Sequence, residues 1–213
     1  MKKYIAELIG TFALVFCGTG SIIINDVTNG GVSHVGIATT FGAIVTVMIY
    51  AFQNISGAHI NPAVSIAYAL TDRFNKTNLV GYIGAQLFGG FLATGVLKFL
   101  FYEHDNLGST TPYESWHQTF VLEMILTYFL MLVILFVSQN KLTSKFTGLA
   151  VGGTVMLEAM FAGPITGASM NPARSISPAV VSGDITTLWI YIVAPIAGAV
   201  MASLTWKMFQ EED

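Results

Sequence analysis

Charge is what this chain has least of. Only 10% of its 213 residues are Asp, Glu, Lys or Arg, against about 25% in an ordinary soluble domain. Nine basic and twelve acidic residues cannot solvate a globular surface of this size. Cysteine is nearly missing as well. A single residue, Cys17, excludes a disulfide-stapled secreted fold. Basic excess is absent, the net charge being −3, which disfavours a nucleic-acid-binding surface. The polar composition of a disordered chain is also absent. What fills the sequence instead is apolar: 54% hydrophobic residues, with 15 Phe and 9 Met, and a mean hydropathy of +0.66. That combination points to an all-α membrane protein.

Six apolar runs, at 4–25, 34–53, 79–101, 120–137, 146–163 and 188–208, have about the 20 residues a spanning helix needs. Two shorter runs, 63–70 and 172–181, each follow an Asn-Pro pair. At ~1.5 Å per residue they reach only about half-way through a bilayer. Lys2 and Lys3 before an apolar run raise the alternative of a signal peptide. Glu7 interrupts that run early, and Val15-Phe16-Cys17 lacks the small residues of a lipoprotein cleavage site.

With the N-terminus inside, six spans put 26–33, 102–116 and 164–187 outside, and 54–78, 138–145 and both termini inside. Seven of the nine basic residues then lie inside: Lys2, Lys3, Arg73, Lys76, Lys141, Lys145 and Lys207. Asp26, Glu103, Asp105, Glu114 and Asp184 fall outside. This follows the positive-inside rule. It predicts an integral membrane protein with both termini cytoplasmic, and a bacterial-type plasma (inner) membrane is the expected setting. Lys98 marks the outer end of the third span, and Arg174 is the one basic residue that topology leaves unexplained.

The chain repeats itself. Ser56-Gly-Ala-His-Ile-Asn-Pro-Ala-Val-Ser65 and Thr166-Gly-Ala-Ser-Met-Asn-Pro-Ala-Arg-Ser175 match at six of ten positions. A glutamate lies upstream of each copy within an apolar span, Glu7 and Glu123. The sequence therefore reads as one channel-like domain, 1–213, made of halves at about 1–105 and 110–213. Each half holds three spans and one half-helix. Three is odd, so the second half enters from the opposite face, giving an inverted repeat of the kind found in transporters and channels.

The Asn-Pro pairs have a mechanical reading. Asn caps a helix well, and Pro suits the first helical position. The backbone before each pair is non-helical, which a membrane tolerates only inside protein or along a water-filled cavity. Half-helices entering from opposite faces would bring their positive dipole ends and the Asn61 and Asn171 amides to one central point. A water there accepts two N–H donors, whereas a cation meets two partial positive charges and no carboxylate.

Asn61-Pro62-Ala63 and Asn171-Pro172-Ala173, with Arg174 after the second and with Glu7 and Glu123 in the spans, resemble the aquaporin (major intrinsic protein) family over nearly the whole chain. The resemblance implies six transmembrane helices plus two re-entrant half-helices. It also implies a homotetramer with one pore per subunit, and a passive path for water and small neutral solutes. A carbonyl ladder would be supplied by Gly57, Ala58 and His59 with Gly167, Ala168 and Ser169. Glu7 and Glu123 would hold the re-entrant loops. The family's filter positions fall on Phe41, Ala159, Ala168 and Arg174. That set keeps one aromatic wall and one cation and puts methyl groups at the other two places, so a wider and less polar opening than a water-only filter is expected. The stretch 161–175 looks most like the nodulin-like plant intrinsic proteins and their bacterial relatives, which implies glycerol, urea or neutral metalloid acids as solutes. Ala168 also stands where some relatives carry a mercury-reactive cysteine, and Cys17 lies away from the filter, so weak mercurial inhibition is expected.

Other readings are a strictly water-selective aquaporin, an ion-coupled secondary transporter, and a membrane enzyme using the buried glutamates. Ion coupling normally needs an acid or carbonyl site at the midplane, where the candidates here are two amides. An enzyme needs a nucleophile–base pair, metal spacing or a phosphate loop, and the sequence offers none. No cofactor or metal is expected. The histidines His34, His104 and His117 fall in or near outer loops without ligand spacing. Glu158, beside Ala159, reads either as a carboxyl near the outer vestibule or, more sharply, as a partner of Arg174 or a source of pH dependence.

Overall fold

Lipid offers the backbone no hydrogen-bond partner, so a membrane chain must satisfy its amides internally, and helices do so. The computed structural model describes residues 1–210, and all regular structure in that range is helical. The helices are α1 (Lys2–Val27), α2 (Ser33–Ser56), α3 (Pro62–Leu70), α4 (Leu79–Leu100), α5 (Trp116–Gln139), α6 (Thr147–Thr166), α7 (Pro172–Ser182) and α8 (Ile190–Met208). Short 3-10 turns lead into α4 and α6. Among the described residues six helices are long and apolar enough to cross a membrane. The remaining two, α3 and α7, have 9 and 11 residues and are the half-helices expected from the short runs.

Helix ends depart from the apolar runs by up to four residues, and the departures have local causes. α5 starts early, at Trp116, because Ser115 caps it by accepting from Gln118 N at 3.2 Å. α2 runs on to Ser56 and stops at Gly57, whose φ of 86° is the left-handed conformation glycine adopts freely. α6 continues through Pro164 to Thr166. A proline at 164 cannot serve the carbonyl four residues earlier, and His34 Nε2 reaches that Met160 oxygen at 2.8 Å. His34 is thus part of the first turn of α2, packed on another helix.

Packing repeats between the halves. α1 lies along α4 as α5 lies along α8, while α2 packs on α6 across the halves. Each half-helix is held by the opposite half: α3 packs on α8 and α7 on α4. The fold is therefore six spans with two re-entrant half-helices in an inverted repeat.

Glycines set the closest approaches. A Cβ on Gly42 would meet the Gly152 carbonyl oxygen, and one on Gly152 would meet the Gly42 carbonyl oxygen. Gly89 sits under the Leu8 carbonyl, and Gly198 sits in the same way under that of Met124. Lipid supplies no hydrophobic drive between helices, so such close backbone contact carries much of the association. Gly198→Ala is expected to destabilise the fold by about 1–3 kcal/mol, the usual cost of overpacking. Gly95 has open space around it, so Gly95→Ala should be neutral or gain about 0.5–1 kcal/mol. Unfolding midpoints of the two variants in detergent check the contrast.

Candidate functional site

The segments between α2 and α3, and between α6 and α7, fold back on themselves through left-handed backbone. Gly57, Ala58 and Ile60 have φ of 86°, 48° and 42°, and Gly167, Ala168 and Met170 have 81°, 42° and 53°. L-residues adopt this region at a cost, and the segments use few backbone bonds of their own. Two buried carboxylates supply the missing partners. Glu7 Oε1 accepts from Ser56 Oγ at 2.7 Å and His59 N at 2.9 Å. Its Oε2 accepts from Ile60 N at 2.7 Å and Gln86 Nε2 at 2.8 Å. Glu123 repeats the pattern, with Thr166 Oγ1 at 2.7 Å and Ser169 N at 2.9 Å on Oε1 and Met170 N at 2.9 Å on Oε2. Gln86 precedes Gly89 by three residues. Pro195 stands in the same relation to Gly198, so Glu123 receives three bonds where Glu7 receives four.

The turned segments deliver the asparagines to each other. Asn61 Oδ1 caps α3 by accepting from Ala63 N at 2.9 Å, while Nδ2 donates to Met170 O at 2.8 Å. Asn171 Oδ1 accepts from Ala173 N at 3.0 Å, while Nδ2 donates to Ile60 O at 2.9 Å. Pro62 and Pro172 occupy the first helical positions, where a missing N–H costs nothing. Each amide nitrogen carries two hydrogens and spends one on the opposite segment. The second is left for a solute.

Both asparagines border a cavity of about 250 Å³. One wall is apolar, including Leu14, Val45, Ile49, Val64, Val151 and Val155. The other is built from the turned segments, with Gly57, Ala58, His59, Ala168 and Ser169 among its residues. Among the described residues no Asp or Glu borders it, and Arg174 is its one permanently charged side chain. Gly167 and Ala159 are not among the bordering residues; Ala159 is buried close by in sequence to Val155. His59 is fixed by Ser65 Oγ at 3.1 Å from Nδ1 and by the Tyr68, Phe74 and Tyr82 rings, with centroids 4.7, 4.8 and 5.1 Å away. Among the described residues no group of three potential ligands could hold a metal ion.

Arg174 is 1% exposed. Its Nη1 donates to Gly108 O at 2.8 Å, and its guanidinium lies 5.1 Å from the Phe41 ring centroid. Nε and Nη2 have no partner in the protein. Phe41 can take its place because residue 18 is glycine: a Cβ there would collide with the ring. Phe41, Ala168 and Arg174 all border the cavity. Glu158 makes no ion pair with Arg174 among the described residues, and its Oε2 is buried without a partner. Cys17 is half-buried and does not border the cavity.

Sequence reading missed three contributors. Gln86 and Tyr82, which donates to Ser56 O at 2.8 Å, carried a signal, since buried polar side chains in an apolar span need partners. Gly108 acts through its backbone carbonyl and carried none. Removing Glu7 would strand the His59 and Ile60 amides and two side-chain donors, each at about 1–3 kcal/mol. Glu7→Leu is therefore expected to yield no stable folded protein. Gln86→Leu, which removes one of four donors, should fold with a midpoint lowered by about 1–2 kcal/mol, measured by thermal unfolding in detergent.

Comparison with known proteins agrees with this geometry. Residues 1–206 match the family described as Major intrinsic protein. Aquaporin NIP1-1 of Zea mays is 43% identical over 212 residues, covering 99% of this chain and 75% of the relative. Nodulin-26 of Glycine max is 41% identical over 215 residues, covering 100% and 79%. Among solved structures, the aquaglyceroporin from Plasmodium falciparum superposes with a TM-score of 0.84 at 27% identity, covering 96% of this chain and 94% of that one. On sequence, fold and the paired asparagine boxes together, the chain belongs to the major intrinsic protein family.

Proposed function

We propose that the Phe41–Ala168–Arg174 end of the cavity makes this protein a passive channel for water together with glycerol, urea or uncharged metalloid acids. The protein is a membrane channel for water and small neutral solutes and not an enzyme. The observation that carries the reading is the set of unspent donors around a cavity without acids: one hydrogen on each of Asn61 and Asn171, and Arg174 Nε and Nη2.

The donors suit an oxygen. A water or hydroxyl oxygen between the asparagines accepts from both, so its own hydrogens point away along the lumen. A chain of waters is thereby polarised in opposite directions on the two sides, which breaks the relay a proton would need. A cation meets the same N–H groups and the positive ends of α3 and α7, with no carboxylate facing it. Carbonyls of Gly57, Ala58 and His59 and of Gly167, Ala168 and Ser169 are the proposed acceptors that replace a solute's hydration. The apolar wall does not bind the solute, so passage stays fast.

Width separates this reading from a strictly water-selective one. The methyl group of Ala168 leaves one aromatic wall, Phe41, beside Arg174. An ion-coupled transporter is disfavoured by the acid-free lining. Four copies, each with its own pore, are proposed for the assembly, consistent with the many exposed apolar side chains. Both termini are proposed to lie in the cytoplasm, which the distribution of Lys and Arg supports, and a bacterial-type inner membrane is the proposed setting. Swelling of proteoliposomes in water, glycerol, urea and boric acid tests the filter. Wild type is expected to pass water and at least one solute. Ala168→Phe is expected to cut solute flux roughly tenfold, the effect of a barrier raised by about 1.4 kcal/mol, and water flux less. Passage of water alone in both proteins would defeat the wide-filter reading.

A further inference from the structure

We propose that His104 is a positioning residue for Arg174, and that the protonation state of its imidazole sets how firmly the guanidinium is held against the channel wall. This rests on the channel reading above. It starts from the segment between α4 and α5, where Leu107 and Gly108 form a turn at φ of 52° and 71°. Leu107 is fully buried against Ile23 and Leu97. Gly108 lies so close to α1 that a Cβ would meet Thr19 O at 2.9 Å. From this turn the Gly108 carbonyl accepts Arg174 Nη1 at 2.8 Å.

The turn is tied at its start to His104. Leu107 N donates to His104 Nδ1 at 3.1 Å, and the other ring nitrogen, Nε2, lies 3.3 Å from Asp26 Oδ2 on α1. An amide can donate only to a bare ring nitrogen, so the first bond fixes the tautomer: the single ring hydrogen is on Nε2, directed at Asp26. A second proton, taken from water, occupies the Nδ1 lone pair that Leu107 uses. Two N–H groups then face each other, and the Leu107 amide loses its acceptor. The ring keeps Asp26 and loses the turn.

Gly108, whose carbonyl accepts from Arg174 Nη1, is one residue further along. When the Leu107–Gly108 turn loosens, the Gly108 carbonyl no longer fixes Nη1. The guanidinium remains beside Phe41 and carries unpartnered Nε and Nη2. It satisfies them across the lumen, where the turned carbonyls lie, and this narrows the path. Acid therefore lowers flux. The charged groups around His104 are Asp26 of α1, Glu103 and Asp105 beside it on the same surface hollow, and Lys98 of α4, whose Nζ donates to Tyr102 O at 2.9 Å. Glu158 belongs to α6 and makes no hydrogen bond or ion pair with this segment among the described residues.

Purified full-length protein in liposomes, with equal pH inside and out, tests the inference by stopped-flow water flux between about pH 8 and about pH 5, where imidazoles titrate. Flux above that of protein-free liposomes at the alkaline end tests the channel reading itself. On acidification, wild type is expected to lose about half its flux or more, as a shifted two-state population would give. His104→Asn retains a side-chain acceptor for Leu107 N–H and cannot take a proton, so its flux should stay near the alkaline wild-type value at both ends. His104→Leu removes the acceptor and should be low and flat. A pH-independent wild type, or an acid loss that survives in His104→Asn, overturns the proposal, the second pointing to Glu158. If His104→Leu fails to fold, the wild-type and His104→Asn profiles alone decide.

Discussion

Everything at the centre of this protein depends on two carboxylates that face away from the pathway. Glu7 and Glu123 are completely buried, in a medium where an unpaired charge would be prohibitive. They are tolerated because the turned segments offer donors that have nothing else to bind: His59 and Ile60 amides for one, Ser169 and Met170 amides for the other. Each side solves the other's difficulty. The carboxylate is solvated by backbone, and non-helical backbone is held at membrane depth without water. Once the N–H groups turn outward to the glutamates, the carbonyls of the same peptides are free to face the cavity, and the asparagines are carried to within hydrogen-bond reach of the opposite segment.

This arrangement also explains how a channel can contain acids and still present none. Neither glutamate borders the cavity, and the oxygens of both are occupied. What the lumen meets, besides the turned segments, is donors: two amide hydrogens and one guanidinium. Against the apolar wall of Leu14, Val45, Ile49 and Val155, these leave a neutral dipole with partners and a cation without a carboxylate to offset the donors. The low charge content of the sequence is thus concentrated in effect, with most basic residues at the ends of helices and one arginine within.

The parts legible in the sequence were those carried by side-chain identity in a regular pattern. Six apolar runs gave six helices; two Asn-Pro pairs gave two half-helices; Glu7 and Glu123 accept hydrogen bonds from the turned segments. Helix ends were less legible, because α6 runs through Pro164 only with help from His34, a residue 126 positions away and bound to Met160 O. Ala159 matched a family position, yet its place relative to the cavity depends on the rotation of α6, which spacing cannot give. The carbonyl of Gly108 was invisible, since every residue has one and only the folded 101–115 segment brings this one to Arg174. Gly18 was legible as a small residue, but its reason, room for the Phe41 ring, came from a neighbouring helix.

The two halves share a scaffold, and they differ in what surrounds the turned segments. Glu7 and Glu123, Gly89 and Gly198, and Asn61 and Asn171 are matched pairs with matched contacts. The residue after the first box is Val64 and after the second Arg174. Behind the first segment, His59 is packed among Tyr68, Phe74 and Tyr82. Behind the second, Ser169 Oγ meets Ser175 Oγ at 2.6 Å, and Ser175 Oγ meets Thr110 Oγ1 at 2.8 Å. Thr110 and Gly108 both come from the segment joining the halves, which has no counterpart in the repeat. A strictly symmetric chain would present two equivalent vestibules and no narrow end. Here the connecting segment supplies one half alone with the carbonyl that holds a buried cation in place beside Phe41.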